Sequence, residues 1–356
     1  MCQRNFEGSP TTPVRIRLFA SALTLSVEGS SLSLVNVQLK SGNRRSFLRE
    51  VALLAASSYS LSAWAEHASP PPKRKMTLCL SPGAIGVTGD QLQTIELAAR
   101  HGFESVEPQA EFLAGLPADK LAEVLASMKA SGLVFGAAGL PVEFRKGEDK
   151  FADGLKNLPA LAAGLNRAGV KRVGTWVMSG HSSLSYVENF RQHARRLRSV
   201  AQVLQDHEIR LGMEYVGTKT IWTRQRYPFI HTLKEMRDLT GEIAIGNPGV
   251  VLDCWHWWQA EDTVAELLAL KNEEVISVDL NDAPRDVAKD QQVDGRRELP
   301  CATGVIDVGA FLRALNQIGY DGPVRAEPFN KPLNDLENEP ACAATILSLR
   351  KAVALL

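Results

Sequence analysis

The chain has 356 residues, 40 basic and 40 acidic side chains, 45% hydrophobic and 22% charged residues. That balance excludes a disordered or fibrous chain and lacks the basic excess that neutralising nucleic-acid phosphate requires. Five widely spaced cysteines with no CxxC pair exclude a disulfide scaffold and a cysteine zinc site, and no apolar run reaches the roughly 18–20 residues of a membrane-spanning helix.

In chain order, residues 1–40 carry no sustained helical or strand period. They are expected to be an extension ahead of the true start, with Val35 or Val37 nearer to it. Residues 41–65 read as a secretory leader. Arg44-Arg45-Ser46-Phe47-Leu48 resembles the twin-arginine type, an apolar small-residue stretch covers 51–65, and Ala63-Trp64-Ala65 makes a small-x-small cleavage site. Residues 66–75, with Pro70-Pro71-Pro72, read as a linker. The leader implies the twin-arginine export machinery as a partner and a periplasmic or otherwise exported location in a bacterial envelope.

Residues 76–356 alternate short apolar runs with amphipathic stretches. The runs are 77–81, 105–107, 133–138, 172–177, 209–215, 250–253, 275–280 and 323–327. Between them, 91–101, 120–131, 151–168, 187–206, 232–240, 264–269, 308–318 and 341–355 place apolar residues at three- and four-residue steps. Eight such repeats predict an α/β fold, a (β/α)8 TIM barrel in one domain. A doubly wound open sheet is the alternative. The turn after the first run, Gly83-Ala84-Ile85-Gly86, lacks the GxGxxG of a dinucleotide site.

Chemistry in such barrels sits at the carboxyl ends of the strands, and here those ends are acidic: Glu107, Glu214, Asp253, Asp279 with Asp282, and Glu327. Converging carboxylates repel one another and lose solvation unless a cation or proton lies among them. Oxygen donors from several strands suit a hard divalent ion, Mn2+ or Mg2+.

Four segments carry a resemblance: Gly212-Met213-Glu214-Tyr215, Leu252-Asp253-Cys254-Trp255-His256, Asp279-Leu280-Asn281-Asp282-Ala283-Pro284-Arg285 and Ala326-Glu327-Pro328-Phe329. In that order they resemble the xylose isomerase-like barrels, in the sugar isomerase/epimerase branch with ketose 3-epimerases and inosose dehydratases. The resemblance implies one divalent metal held by Glu214, Asp253, Asp279 and Glu327, although the family pattern has histidine where Asp279 stands. It implies Glu214 and Glu327 as the acid/base pair that moves a proton through an enediolate of a keto sugar or related polyol, and His256 and Arg285 as donors to substrate oxygens. The glutamate that some epimerases carry beyond their fifth strand falls at Thr220, and Cys301 stands where glycine is usual. An inosose dehydratase-like or 3-keto-glycoside lyase reaction shares the same first half. A non-catalytic sugar-binding barrel is the reading from another class.

Other candidates stay open between two readings. Glu107 contacts substrate or pairs with a neighbouring loop, and His181 with Trp176 lines the pocket or only follows the fourth strand. His256 is a donor or a packed histidine beside Trp255, Trp257 and Trp258, and Arg285 is a substrate contact or a solvated loop residue. The run Arg191, Arg195, Arg196, Arg198 reads as a solvated helix face. Too few histidines lie near strand ends for a trinuclear zinc nuclease. The sequence leaves the oligomeric state undetermined.

Overall fold

The computed structural model describes residues 73–356 except Asn247, together with two short strands near the N-terminus. Those strands, Arg15–Phe19 and Ala22–Ser26, pair antiparallel. Five residues are too few for an alternating period to stand out in sequence. The leader expected over 41–65 and most of the 66–75 linker lie outside the described residues.

From residue 71 the chain is one compact unit. Its strands are β1 (Thr77–Leu80), β2 (Ser105–Val106), β3 in two pieces (Val134–Phe135 and Ala138–Gly139), β4 (Arg172–Val177), β5 (Arg210–Tyr215), β6 (Gly249–Asp253), β7 (Val275–Leu280) and β8 (Pro323–Ala326). All pair in parallel. The order runs from the first piece of β3 through β2, β1, β8, β7, β6, β5 and β4 to the second piece of β3. Because only Gly136 and Ala137 separate those two pieces, the sheet closes on itself as a (β/α)8 barrel.

Each amphipathic stretch forms a helix within a few residues of its expected bounds, as in Gln91–His101 and Tyr186–Asp206. Both start on capping boxes, Asp90 with Gln93 and Ser185 with Glu188, which satisfy amides that a helix start otherwise leaves unpaired. Helices that periodicity misses are short: Ala110–Gly115, Lys219–Trp222, Cys254–Gln259 and Lys331–Asn334 have six residues or fewer, under two turns. The basic run on Tyr186–Asp206 is not wholly solvated. Arg196 is buried and donates to the carbonyls of Phe144 and Lys146 and to Glu148, fastening the loop before the helix Glu148–Arg167. Its charge was visible in sequence, but its inward face was set by neighbouring elements.

Two features inside the barrel place the acids. Gly174, Gly212 and Gly249 are register neighbours across β4, β5 and β6. The side chain of Ile276 fills the space beside two of them, and a Cβ on Gly212 would come within 2.5 Å of it. The β6–β7 register skips Ile276, pairing Val250 with Val275 but Val251 with Ser277. This bulge lets Ile276 fill the floor while Asp253 and Asp279 remain directly paired above it. The next strand continues the row, Asp279 pairing with Arg325.

Candidate functional site

Four carboxylates converge at the carboxyl end of the late strands. Asp253 and Asp279 are fully buried, Glu214 is 8% exposed, and Glu327 follows the last residue of β8. Oxygens of Glu214, Asp279 and Glu327 lie within 4.8 Å of one another, and Glu214 forms a second such group with Asp253 and His256. The four expected ligands therefore fall into two overlapping sets that share Glu214. Asp253 is drawn aside from Asp279 and Glu327 by three donors. Its Oδ1 accepts from the Trp255 amide and from Asn281 Nδ2, each at 2.8 Å, and its Oδ2 accepts from Arg297 at 2.6 Å.

Arg297 is the main residue that sequence reasoning missed. Only 1% exposed, its guanidinium lies 5.2 Å from the Trp255 ring and 4.7 Å from the Phe329 ring. It donates to Asp253, to the Asp294 carboxylate at 2.8 Å, to the Asp294 carbonyl at 2.9 Å, and to Glu327 at 3.5 Å. Burial disfavours its charge, but Asp253, Asp294 and Glu327 outweigh that and hold it firmly protonated. Asp294 also accepts from Thr218 Oγ1. Burial alone would raise its pKa, but Arg297 and the Thr218 hydrogen bond bring it below the usual value.

Arg325 is the second such residue. Its guanidinium forks onto both oxygens of Asp279, with the NH2–Oδ2 contact at 3.0 Å, and another nitrogen lies 3.6 Å from Glu107. A usable signal existed, since a charged residue two positions before Glu327 on a buried strand points to the same side as Glu327. Arg297, on a loop with no period, offered none.

His256 Nδ1 faces the Gly217 amide at 3.2 Å, and its Nε2 faces an Arg297 guanidinium nitrogen at 3.4 Å. Nε2 faces Glu214, Asp253 and Asp294 at 3.9 Å each. Burial lowers its pKa to about 3, so the ring is neutral, and it belongs to the second possible ligand group with Glu214 and Asp253. Glu107 accepts from Ser81 Oγ. With Ser81, Gln109, Arg325, Glu327 and Phe329 it lines a cavity of ≈ 400 Å³. Phe329, at φ +41°, holds a backbone conformation that a bulky side chain rarely adopts.

The remaining candidates make contacts of other kinds. Arg285 is exposed, donates to the Thr303 carbonyl and forms no ion pair among the described residues. His181 Nδ1 accepts from the Ser183 and Leu184 amides, which organises its own turn. Trp176 packs under Arg145, whose guanidinium is 4.3 Å from the ring. Trp257 is buried against Phe311, and Trp255 donates to Thr218 Oγ1. Thr220 donates to the Gln292 carbonyl. Asp282 accepts five backbone N–H groups, those of Ala283, Thr303, Gly304, Val305 and Ile306, and so fastens a loop. Cys301 has φ +60°, the left-handed conformation that glycine adopts without strain.

The electrostatics leave the cluster short of positive charge. If ionised, Glu214, Asp253, Asp279 and Glu327 carry four negative charges against two from Arg297 and Arg325, which Asp294 and Glu107 also share. Burial first, then Glu327, Asp253 and Asp279, raise the pKa of Glu214 well above its usual value. Burial and Asp279 raise Glu327 to about 8 against the pull of Arg325 and Arg297, and burial raises Asp253 to about 6. Glu214 Oε1 is buried without a hydrogen-bond partner. An orphaned acceptor at the centre of surplus carboxylates fits a divalent cation, and this acidic cluster could hold one.

Comparisons with known proteins agree with this architecture. A solved xylose isomerase domain protein from Alicyclobacillus acidocaldarius subsp. acidocaldarius is 32% identical, with a TM-score of 0.69 over 79% of this chain and 99% of that one. An inosose isomerase from Bacillus velezensis is 21% identical over 260 residues, 71% of this chain and 89% of that protein. The IOLI protein, solved with a bound zinc atom, shares the fold at 20% identity and a TM-score of 0.64, covering 78% of this chain and 98% of its own. A sequence profile of the xylose isomerase-like TIM barrel family matches residues 95–352, and the chain belongs to that family.

Proposed function

We propose that this protein is a divalent-metal-dependent isomerase or epimerase that moves a proton at the carbon beside the carbonyl of a keto sugar or related polyol. Glu214 and Glu327 form its acid/base pair. The observation that carries the reading is their placement. Two carboxylates from the ends of different strands share a ligand set with Asp279, Glu214 buried with an orphaned oxygen and Glu327 partly exposed and opening onto a cavity.

Taking a proton from carbon next to a carbonyl leaves negative charge on adjacent oxygens, so the site must supply a base, a proton donor and positive charge together. Glu327, with a pKa raised to about 8, can hold a proton near neutrality, and Glu214 is pushed in the same direction. Their titrations belong to the pair because each carboxylate raises the other's proton affinity. His256, neutral because burial lowers its pKa, places its imidazole beside Glu214 and Asp253 without adding charge. Arg297 is saturated by Asp253, Asp294 and Glu327 and acts by positioning them. When bound to Glu214, Asp279 and Glu327 with Asp253 beside them, a divalent cation supplies positive charge where the substrate oxygens become negative. The all-oxygen donor set favours Mn2+ or Mg2+, with zinc as the competing ion.

The test is deuterium uptake from heavy water into unphosphorylated keto sugars and 3-keto glycosides with Mn2+, in the wild type and in Glu327→Gln. Exchange that needs metal and is lost in the variant supports the reading, whereas exchange without metal overturns it. Elimination of a hydroxyl would move the enzyme to the lyases. Saturable sugar binding without exchange would make it a binding barrel, the reading favoured by Arg325 already occupying Asp279. The proposal includes export, supported by Arg44-Arg45 ahead of the apolar stretch. Replacing both by lysine should retain the chain in the cytoplasm on fractionation.

A further inference from the structure

We infer that Arg325 sets which divalent cation the barrel mouth prefers, by making Asp279 a charge-balanced oxygen ligand approached from one side; this rests on the metal-binding reading above. Asp279 and Arg325 are register partners on adjacent strands, so the sheet fixes their juxtaposition and no loop has to order to make it. Asp279 has no exposed surface, and both of its oxygens accept from the Arg325 fork. A carboxylate has about four lone-pair sites, so a fork on one side leaves sites on the other. One of those oxygens lies within 4.8 Å of oxygens of Glu214 and Glu327.

The charges that face Arg325 come from three places: Asp279 on β7, Glu107 after β2, at 3.6 Å, and Glu327 just past the end of its own strand. Asp279 and Arg325 together sum to zero charge, as a neutral imidazole would, but they present oxygen where an imidazole presents nitrogen. Oxygen suits Mn2+ and Mg2+, whereas imidazole suits Zn2+.

The experiment is calorimetric titration of the full chain with MnCl2 and, separately, ZnCl2. It compares the wild type with Asp279→His, the double variant Asp279→His with Arg325→Gln, and Arg325→Lys, with thermal melting of each as the folding control. Asp279→His leaves the guanidinium without its forked partner, facing only partly compensating charge from Glu107 and Glu327, and should weaken both ions about ten-fold or more. Adding Arg325→Gln should restore binding and raise the Zn2+-to-Mn2+ affinity ratio about ten-fold over the wild type. Arg325→Lys keeps the charge but loses the fork, and should weaken Mn2+ about ten-fold.

An unchanged affinity ratio in a folded double variant overturns the inference. So does single Asp279→His binding as tightly as the double. If the histidine variants do not fold, Arg325→Lys decides, and undiminished Mn2+ affinity overturns the role of Arg325. A wild-type chain that binds neither ion overturns the metal reading itself, whereas the other failures leave it standing.

Discussion

The two ends of the barrel handle charge in opposite ways. At the amino-terminal end, charges are paired near solvent and also tie down backbone. Arg74 makes two 2.7 Å contacts with Glu104, which accepts from the Leu78 amide as well. Arg172 pairs with Asp321 and donates to the carbonyls of Val275 and Ile276. At the carboxyl-terminal end, carboxylates outnumber arginines, are withdrawn from water, and leave Glu214 Oε1 without a partner. The first arrangement stabilises a fold. The second costs stability and makes sense where a ligand arrives to balance it. Asp282 shows that depth of burial alone is not the signal: it is as buried as Asp279, but five amides satisfy it.

The largest expected effect should break this contrast at the functional end. Glu214→Gln should lower proton exchange by about a thousand-fold, while its melting temperature stays level or rises because a repelled, unpartnered carboxylate is gone. A melting temperature that falls with activity would make Glu214 a structural residue. Removing divalent metal with a chelator should abolish exchange and lower the melting temperature, and Mn2+ should restore both, since a ligand that binds only the folded state stabilises it.

Asp282→Ala, next in size, should cost about 3 kcal/mol in chemical denaturation by stranding several buried amides. At the other end of the barrel, Glu104→Ala should cost roughly 1–2 kcal/mol and leave the exchange rate of the folded protein unchanged.

The smallest effect concerns a group outside both ends. Burial lowers the pKa of His193 to about 4, its Nδ1 donates to the Asn189 carbonyl, and its Nε2 is buried without a partner. The unfolded chain therefore binds a proton that the folded chain refuses. The stability is present above pH 6.5 and is lost as pH falls from there toward 4, by about 1 kcal/mol at pH 5.5. A stability curve in which His193→Gln keeps the wild-type slope between pH 7 and 5.5 would remove His193 as the cause.

Much of the fold was legible because barrel strands and helices differ in period. The runs at 172–177 and 275–280 were placed residue for residue. Strand ends also announced the acids, since Glu214, Asp253, Asp279 and Glu327 each close an apolar run. The site was less legible where partners come from elsewhere in the chain. Arg285, six residues beyond Asp279, was the arginine that the family resemblance offered, but it is exposed on the loop. Arg297 lies a further turn along, where the chain doubles back so that Asp282 and Glu298 bridge and the guanidinium enters the cluster.

The order of polar and apolar residues determined the closed barrel and the end at which its acids collect, because side-chain periodicity is a local property that burial then enforces. Only the tertiary structure decided how those acids share their counter-charges. It set Arg297 on Asp253, Arg325 on Asp279, and left Glu214 with neither. Such pairing depends on strand register and loop return across distances in the chain that no local pattern encodes.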